Sequence, residues 1–399
     1  MKYSVKGRSV FSGKNIGIIF DGPVISKAEE IESAEELPYI SPGFLDTQVN
    51  GYRGIDYRNA GLKKEDVLKL IEMLAASGTT GHFPTIVTWS REGTEKNLKV
   101  ISSLLDERPE LESAVKGIHI EGPYISSEDG ARGAHDPRYI RDPDYEEFSR
   151  WQEAAGGRIR ELTLAPERKG AVDFIKKVSS EGVIISIGHT AASPEVIREA
   201  ADAGARMSTH LGNGSQSMIP RLRNYIWEQM AEDRLHASII SDGFHLPPSV
   251  VKVILRAKEL KRILLVSDAV TLGGMKPGIY KWDNIDVEVF EDGHLGLAGT
   301  EYLAGAGHLL DRSLAWLMNS TDLSIGEAVS LCTLNPNKLF FPEKKAPSLE
   351  PGDPADITLF SYNNGDSALT VLETWRGGER VFTMTQPPGL SSEYSNGIN

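Results

Sequence analysis

Glu121, His189, His210, Asp242 and Asp268 each close a short apolar run in this 399-residue chain. The runs read "KGIHIE", "VIISIGH", "ARMSTH", "HASIISD" and "RILLVSD". One carboxylate and two imidazoles suffice to hold a catalytic divalent ion, with a coordination position left for water. A second carboxylate beside such an ion can take a proton from that water and later hand it to a leaving amine. Asp268 is placed for this role; as a purely structural residue it would cap a helix after it. Asp242 faces the same choice, and the adjacent Gly243 favours a turn. Any one of these residues is weak evidence. Together they call for a scaffold that gathers the ends of separate strands.

The rest of the middle of the chain supplies such a scaffold. Eight strand candidates fall at 43–46, 80–85, 116–121, 162–166, 183–189, 205–210, 236–242 and 262–268. Helical stretches such as "KKEDVLKLIEMLAASG" and "GAVDFIKKVSSEG" separate most of them. Alternating strands and helices of this number predict a (β/α)8 TIM-like barrel, whose strand C-termini all open onto one face. A doubly wound open sheet is the runner-up, but no G-x-G-x-x-G or P-loop supports it. The barrel is expected over 43–340. Residues 1–42 and 341–399 are short, turn-broken and β-like, and are expected to form one small β-sandwich domain from both termini.

The other histidines are weighed by position. His119 lies two residues before Glu121, on the same strand face and one layer deeper, as a buried supporting residue. His82, on the second strand, reads similarly. His135, in "ARGAHDPRYIR", and His245, in "SDGFHLP", sit in loops after rim strands, where substrate contact is expected. His236, His294 and His308 stand at element starts or turns and read as solvated. The first strand, "PGFLDTQVNG", places Gln48 and Asn50 where many metallohydrolases carry a histidine pair. Neutral amides replace imidazole poorly as ligands, so one ion is expected, not two. Asp46 and Asn50 are left to hydrogen-bond to the rim or to substrate.

Composition narrows the setting. Hydrophobic residues make up 40% and charged residues 25%, as in a globular protein. A net charge of −13 disfavours general binding to nucleic acid or anionic membrane. The single cysteine, Cys332, excludes an intrachain disulfide and any cysteine-based metal cluster. The first residues lack the apolar core of a signal peptide, and no apolar run approaches the roughly 20 residues of a membrane span. A cytoplasmic enzyme is the expectation.

"HIEGPYIS", "GHT", "STHLGNG", "SDGFHLP" and "LVSDAVTLGG" together resemble the N-acetylglucosamine-6-phosphate deacetylases of the amidohydrolase superfamily. The resemblance runs from "SPGFLD" through "LNPNKLF" to "LEPGDPADITLF", most of the chain. It implies that Glu121, His189 and His210 hold one divalent ion per chain, Zn2+ first, with Fe2+, Co2+ or Mn2+ as alternatives. It implies that Asp268 activates the water and that His135 polarises the acetyl carbonyl. Asn213, the backbone at Gly214 and His245 would contact the sugar phosphate. Arg221 would bind the phosphate, across the interface of a homodimer. The expected reaction converts N-acetylglucosamine 6-phosphate to glucosamine 6-phosphate and acetate. The alternatives are a deacetylase of a non-phosphorylated or different N-acyl amino sugar and, in another class, a catalytically silent sugar-phosphate-binding protein. Two stretches depart from the family pattern: "RLRNYIWEQM", where the family tends to read R-E-P-G, and "LAGTEYLAG", where it carries a serine-rich stretch. Both fall in substrate loops.

Overall fold

The computed structural model describes residues 2–282, 285–300 and 302–384. Its centre is an eight-stranded parallel sheet whose neighbours follow chain order. The strands are β1 Phe44–Val49, β2 Thr79–Val87, β3 Ile118–Glu121, β4 Ile159–Leu164, β5 Ile184–Ile187, β6 Met207–Ser208, β7 His236–Ile239 and β8 Ile263–Leu265. All eight lie where the sequence places them. The first and last strand exits then join. Val49 bridges Ala269 in parallel. The Asn50 N–H donates to the Ala269 carbonyl at 2.9 Å, and the Asp268 N–H to the Gln48 carbonyl at 3.0 Å. The sheet is thereby closed into a barrel.

Strand alternation sorts the side chains. Ile118, Ile120, Leu162, Leu164, Ile185 and Ile187 belong to one buried cluster with Leu70, Leu98, Phe148, Ile175 and Ile197 of the surrounding helices. The alternate positions, His119, Glu121, Glu161, Thr163 and Ser186, are buried and polar. Leu45, Phe83, Met207 and Leu264 form a separate apolar cluster with Phe340 and Phe341. The helices start on local signals. Ser90 accepts from Gly93 N ahead of Arg91–Glu107, and Ser193 accepts from Val196 N ahead of Pro194–Ala203, with proline at the first helical position.

The two termini meet in a seven-stranded sheet separate from the barrel. It takes Lys2–Ser9, Asn15–Asp21, Ile25–Glu30 and Tyr39–Pro42 from one end, and Ile357–Ser361, Thr370–Arg376 and Glu379–Thr383 from the other. Tyr3, Phe20 and Trp375 pack together, with ring centroids 5.2–6.0 Å apart. Gly43 alone separates Tyr39–Pro42 from β1, and a Cβ there would lie 2.2 Å from Thr80. One element has no counterpart in the sequence reading. Gly278–Trp282, Ile285–Val289 and Leu295–Leu297 form a small antiparallel sheet after β8. Its Val287, Val289 and Leu295 pack on Val270, Leu272 and Ala304.

Candidate active site at the barrel mouth

Glu121 is the last residue of β3, and His189 and His210 follow β5 and β6 by two residues each. The barrel brings all three together. His189 Nε2 lies 3.1 Å, and His210 Nε2 3.0 Å, from the same oxygen, Glu121 Oε1. One ligand atom from each falls within 4.8 Å of the others, and all three residues are buried. His189, His210 and Asp268 share a further feature: φ of +50°, +29° and +50°. Left-handed backbone is costly for residues with a Cβ, and it clusters at sites where the surroundings enforce it. Here three strand exits are bent in this way around one point.

The rings are held in place. His189 Nδ1 lies 2.9 Å from the Ala131 carbonyl, which can only accept, so Nδ1 carries a proton and Nε2 faces the cluster. Two glycines make room for that ring. A Cβ at Gly214 would lie 2.6 Å from His189 Nδ1, and one at Gly133 3.1 Å from Cε1. His135 enters from the loop after β3. Its Nδ1 is 2.7 Å from Thr88 Oγ1, and its Nε2 is 3.2 Å from His189 Nε2.

Charge is distributed unevenly. Burial pushes the Glu121 carboxyl up, but hydrogen bonds from His189 and His210, and their charge, outweigh it and hold it well below the usual range. Burial pulls His210 down, yet the Glu121 and Asp268 carboxylates raise it. Burial and the neighbouring His189 keep His135 well below its ordinary value, so it is neutral. Burial and the Glu121 carboxylate push Asp268 up to about 6. Asp268 Oδ1 accepts from Asn50 Nδ2 at 2.6 Å.

The residues expected from the sequence to contact substrate divide. Asn213 and Gly214 lie in the turn after His210, and the Asn213 Nδ2 is buried without a partner among the described residues. His245 Nδ1 is 2.7 Å from Asp242 Oδ2, and Asp242 Oδ1 accepts from the Phe244 and His245 N–H groups. Asp242 therefore builds the turn that carries His245. Arg221 is elsewhere. It sits on an exposed segment, its carbonyl accepts from Trp227 Nε1, and none of its described hydrogen bonds reaches the cluster.

Among the remaining histidines, His119 is buried beneath Glu121, with Nε2 2.7 Å from Thr163 Oγ1. His82 is buried between the Tyr57 hydroxyl and the Ala114 carbonyl. The solvated reading fails for His308, which is buried, with Nε2 2.8 Å from the Asp292 carbonyl. His294 and His236 are half-buried. For His294 and His308 the cause is the unforeseen small sheet, since His294 stacks at 4.0 Å on Phe290 and at 4.5 Å on Phe244, which also stacks on His308; His236 opens β7. Thr88 was missed altogether; its only sequence signal is a polar residue closing "FPTIVT".

Known proteins resemble this chain in sequence and fold. The amidohydrolase family model matches residues 39–381. N-acetylglucosamine-6-phosphate deacetylase of Bos taurus is 30% identical over 365 residues, covering 87% of this chain and 84% of that protein. N-acetylgalactosamine-6-phosphate deacetylase of Escherichia coli O157:H7 is 29% identical over 368 residues, covering 90% and 93%. A mutant N-acetyl-D-glucosamine-6-phosphate deacetylase from Mycobacterium smegmatis, solved in complex with N-acetyl-D-glucosamine-6-phosphate, aligns with a TM-score of 0.84. The identity is 25%, covering 96% of this chain and 100% of that one.

Proposed function

This chain belongs to the amidohydrolase family, and we propose that it hydrolyses the N-acetyl group of an amino-sugar phosphate, N-acetylglucosamine 6-phosphate first of all. The observation that carries this reading is the convergence of His189 Nε2 and His210 Nε2 on Glu121 Oε1, with Asp268 and His135 beside them.

The cluster fits a divalent ion. Glu121 is ionised, two imidazole nitrogens face its oxygen, and the His189 ring is oriented through its other nitrogen, as metal-bound histidines are. Zn2+ suits such a set, and Fe2+, Co2+ or Mn2+ accept the same donors. When bound there, a divalent ion supplies Lewis acidity and lowers the pKa of water to about 7. The chain's own residues do the rest. Asp268 takes the proton of the attacking water as its oxygen bonds to the acetyl carbon. No described hydrogen bond engages Asp268 Oδ2, so that oxygen is the one left to work. His135 is neutral, and in the tautomer whose Nδ1 accepts from the Thr88 hydroxyl the ring carries its proton on Nε2. That N–H donates to the carbonyl oxygen as negative charge builds there. Asp268 then returns the proton to nitrogen, the C–N bond breaks, and acetate and the free amine leave.

The sugar phosphate would meet Asn213, the Gly214 backbone and His245. We place Arg221 with them from a second copy, and the exposed apolar surface around it supports a homodimer. Met218, Leu222 and Trp227 are 88%, 76% and 50% exposed, next to the half-exposed Val250 and Val253 on a helix packed against that of Trp227. Exposed apolar residues gathered in this way mark protein interfaces. Among the described residues no helix is long and apolar enough to cross a membrane, and the cytoplasm is the compartment we propose.

The galactosamine relative favours one second reading, N-acetylgalactosamine 6-phosphate as substrate. Acetate release from the two 6-phosphates and from free N-acetylglucosamine tests both. Turnover of N-acetylglucosamine 6-phosphate well above the others is expected. Equal turnover of the free sugar would overturn the phosphate assignment, and no turnover of any would leave a binding protein.

A further inference from the structure

Asn50 occupies a position where a second metal's ligand stands in many barrel hydrolases, and its amide is turned to another use. Its Nδ2 lies 2.6 Å from Asp268 Oδ1 and 3.3 Å from the Asp268 carbonyl. Only the N–H end of an amide can face a carboxylate, so the orientation is fixed by chemistry. Oδ1 of Asn50 has no partner among the described residues, so Asp268 is the side chain's one anchor. The backbone reinforces the pairing: Asn50 N donates to the Ala269 carbonyl at 2.9 Å, and Asp268 N donates to the Gln48 carbonyl at 3.0 Å. Asp268 sits between those contacts at φ +50°, a conformation that needs holding.

We propose that Asn50 is a positioning residue for the proton carrier: it occupies Asp268 Oδ1 and aims Oδ2 at the water and the leaving nitrogen. This rests on the deacetylase reading for its catalytic meaning, though not for its geometry. An amide serves here where an imidazole would not. Its two donors carry no lone pair, so Asn50 can grip a carboxylate without competing for an ion. A carboxylate gripped at one oxygen keeps its second lone-pair set for proton transfer, and a free one turns about its Cβ–Cγ bond.

Three variants test it: Asn50→Leu, which keeps the bulk and removes the donor; Asn50→Asp, which keeps the shape and removes the donor; and Asp268→Asn. Each is measured for kcat and KM on N-acetylglucosamine 6-phosphate, metal content and melting temperature. Both Asn50 variants should lose about ten- to a hundredfold in kcat, the scale of a misplaced reacting group, with KM and metal content near wild type. In an Asp268→Asn background the Asn50→Leu change should cost nothing further, because the two act as one unit. A kcat within twofold of wild type, or a full loss added on top of Asp268→Asn, would overturn the proposal. So would a loss that follows metal content. If the wild-type chain released no acetate, the deacetylase reading would fail by itself. Crystal structures would then decide: the Asp268 carboxylate should turn in Asn50→Leu, and an unmoved carboxylate would refute the positioning role.

Discussion

The metal-competent cluster and the segment carrying Arg221 lie 11 residues apart along the chain, from His210 to Arg221, and differ in almost every physical respect. His210, Glu121 and His189 are buried, and their rings and carboxylate lie within hydrogen-bond reach of one another. Met218, Arg221 and Leu222 are exposed, and no described side-chain hydrogen bond ties Arg221 down. The first region is finished within one chain. The second is open, and its exposed apolar side chains are the ones the proposed homodimer would cover. The proposed bond-breaking residues thus sit within one barrel, whereas the proposed phosphate contact of Arg221 depends on the proposed pairing of two copies.

Breaking the buried side should cost most. Asp268→Asn keeps the shape and removes the proton acceptor, so kcat should fall on the order of a thousandfold or more while the metal is kept. Near-normal turnover would remove Asp268 from its role. Gly214→Ala joins the two regions. The added methyl would press on the His189 ring from a backbone at φ +58°. Metal affinity or kcat should drop about ten- to a hundredfold, the usual cost of disturbing a ligand's support. Metal titration and kinetics check it, and wild-type values for both would mean the ring has room.

The exposed side should respond differently. Arg221→Ala should raise KM about tenfold for the 6-phosphate, equivalent to 1.4 kcal/mol of binding, with kcat and the free sugar little changed. Leu222→Asp should yield monomers in sedimentation analysis and show the same KM defect. A monomer with wild-type KM would separate Arg221 from the dimer.

An effect on stability and not on turnover concerns Asp46, behind the cluster on β1. Burial pushes its carboxyl up to about 7, against hydrogen bonds from Ser267 and Gln48. A folded-state pKa raised above the unfolded value contributes stability at low pH that is lost as pH rises through 7. Between pH 5 and 8 wild type should therefore lose about 2 to 3 kcal/mol relative to Asp46→Asn. Urea midpoints at the two pH values measure this; parallel shifts in both proteins would show that Asp46 titrates normally.

Much of the buried region was legible in the sequence. Its strands are short apolar runs, and each functional residue closes one, a signal local enough to read without a fold. His119 was legible for the same reason, since strand alternation places it under Glu121. The partners were not. Thr88 reaches His135 across 47 positions by the pairing of β2 with β3, and Asn50 reaches Asp268 across 218 by closure of the barrel. The bent backbone at His189, His210 and Asp268 leaves no mark in residue type, unlike a glycine. The small sheet at 278–297 was missed because its strands are short and partly exposed, and His308 was misread with it. Arg221 was named only by resemblance, because an exposed arginine on a loop has no local pattern that marks it.

Metal stoichiometry coupled to turnover tests the central claim most directly. The purified chain should carry one tightly bound ion. Acetate release from N-acetylglucosamine 6-phosphate should vanish on chelation and return with one equivalent of Zn2+. Two ions per chain with Gln48 or Asn50 among the ligands, or undiminished turnover by the metal-free chain, would contradict it.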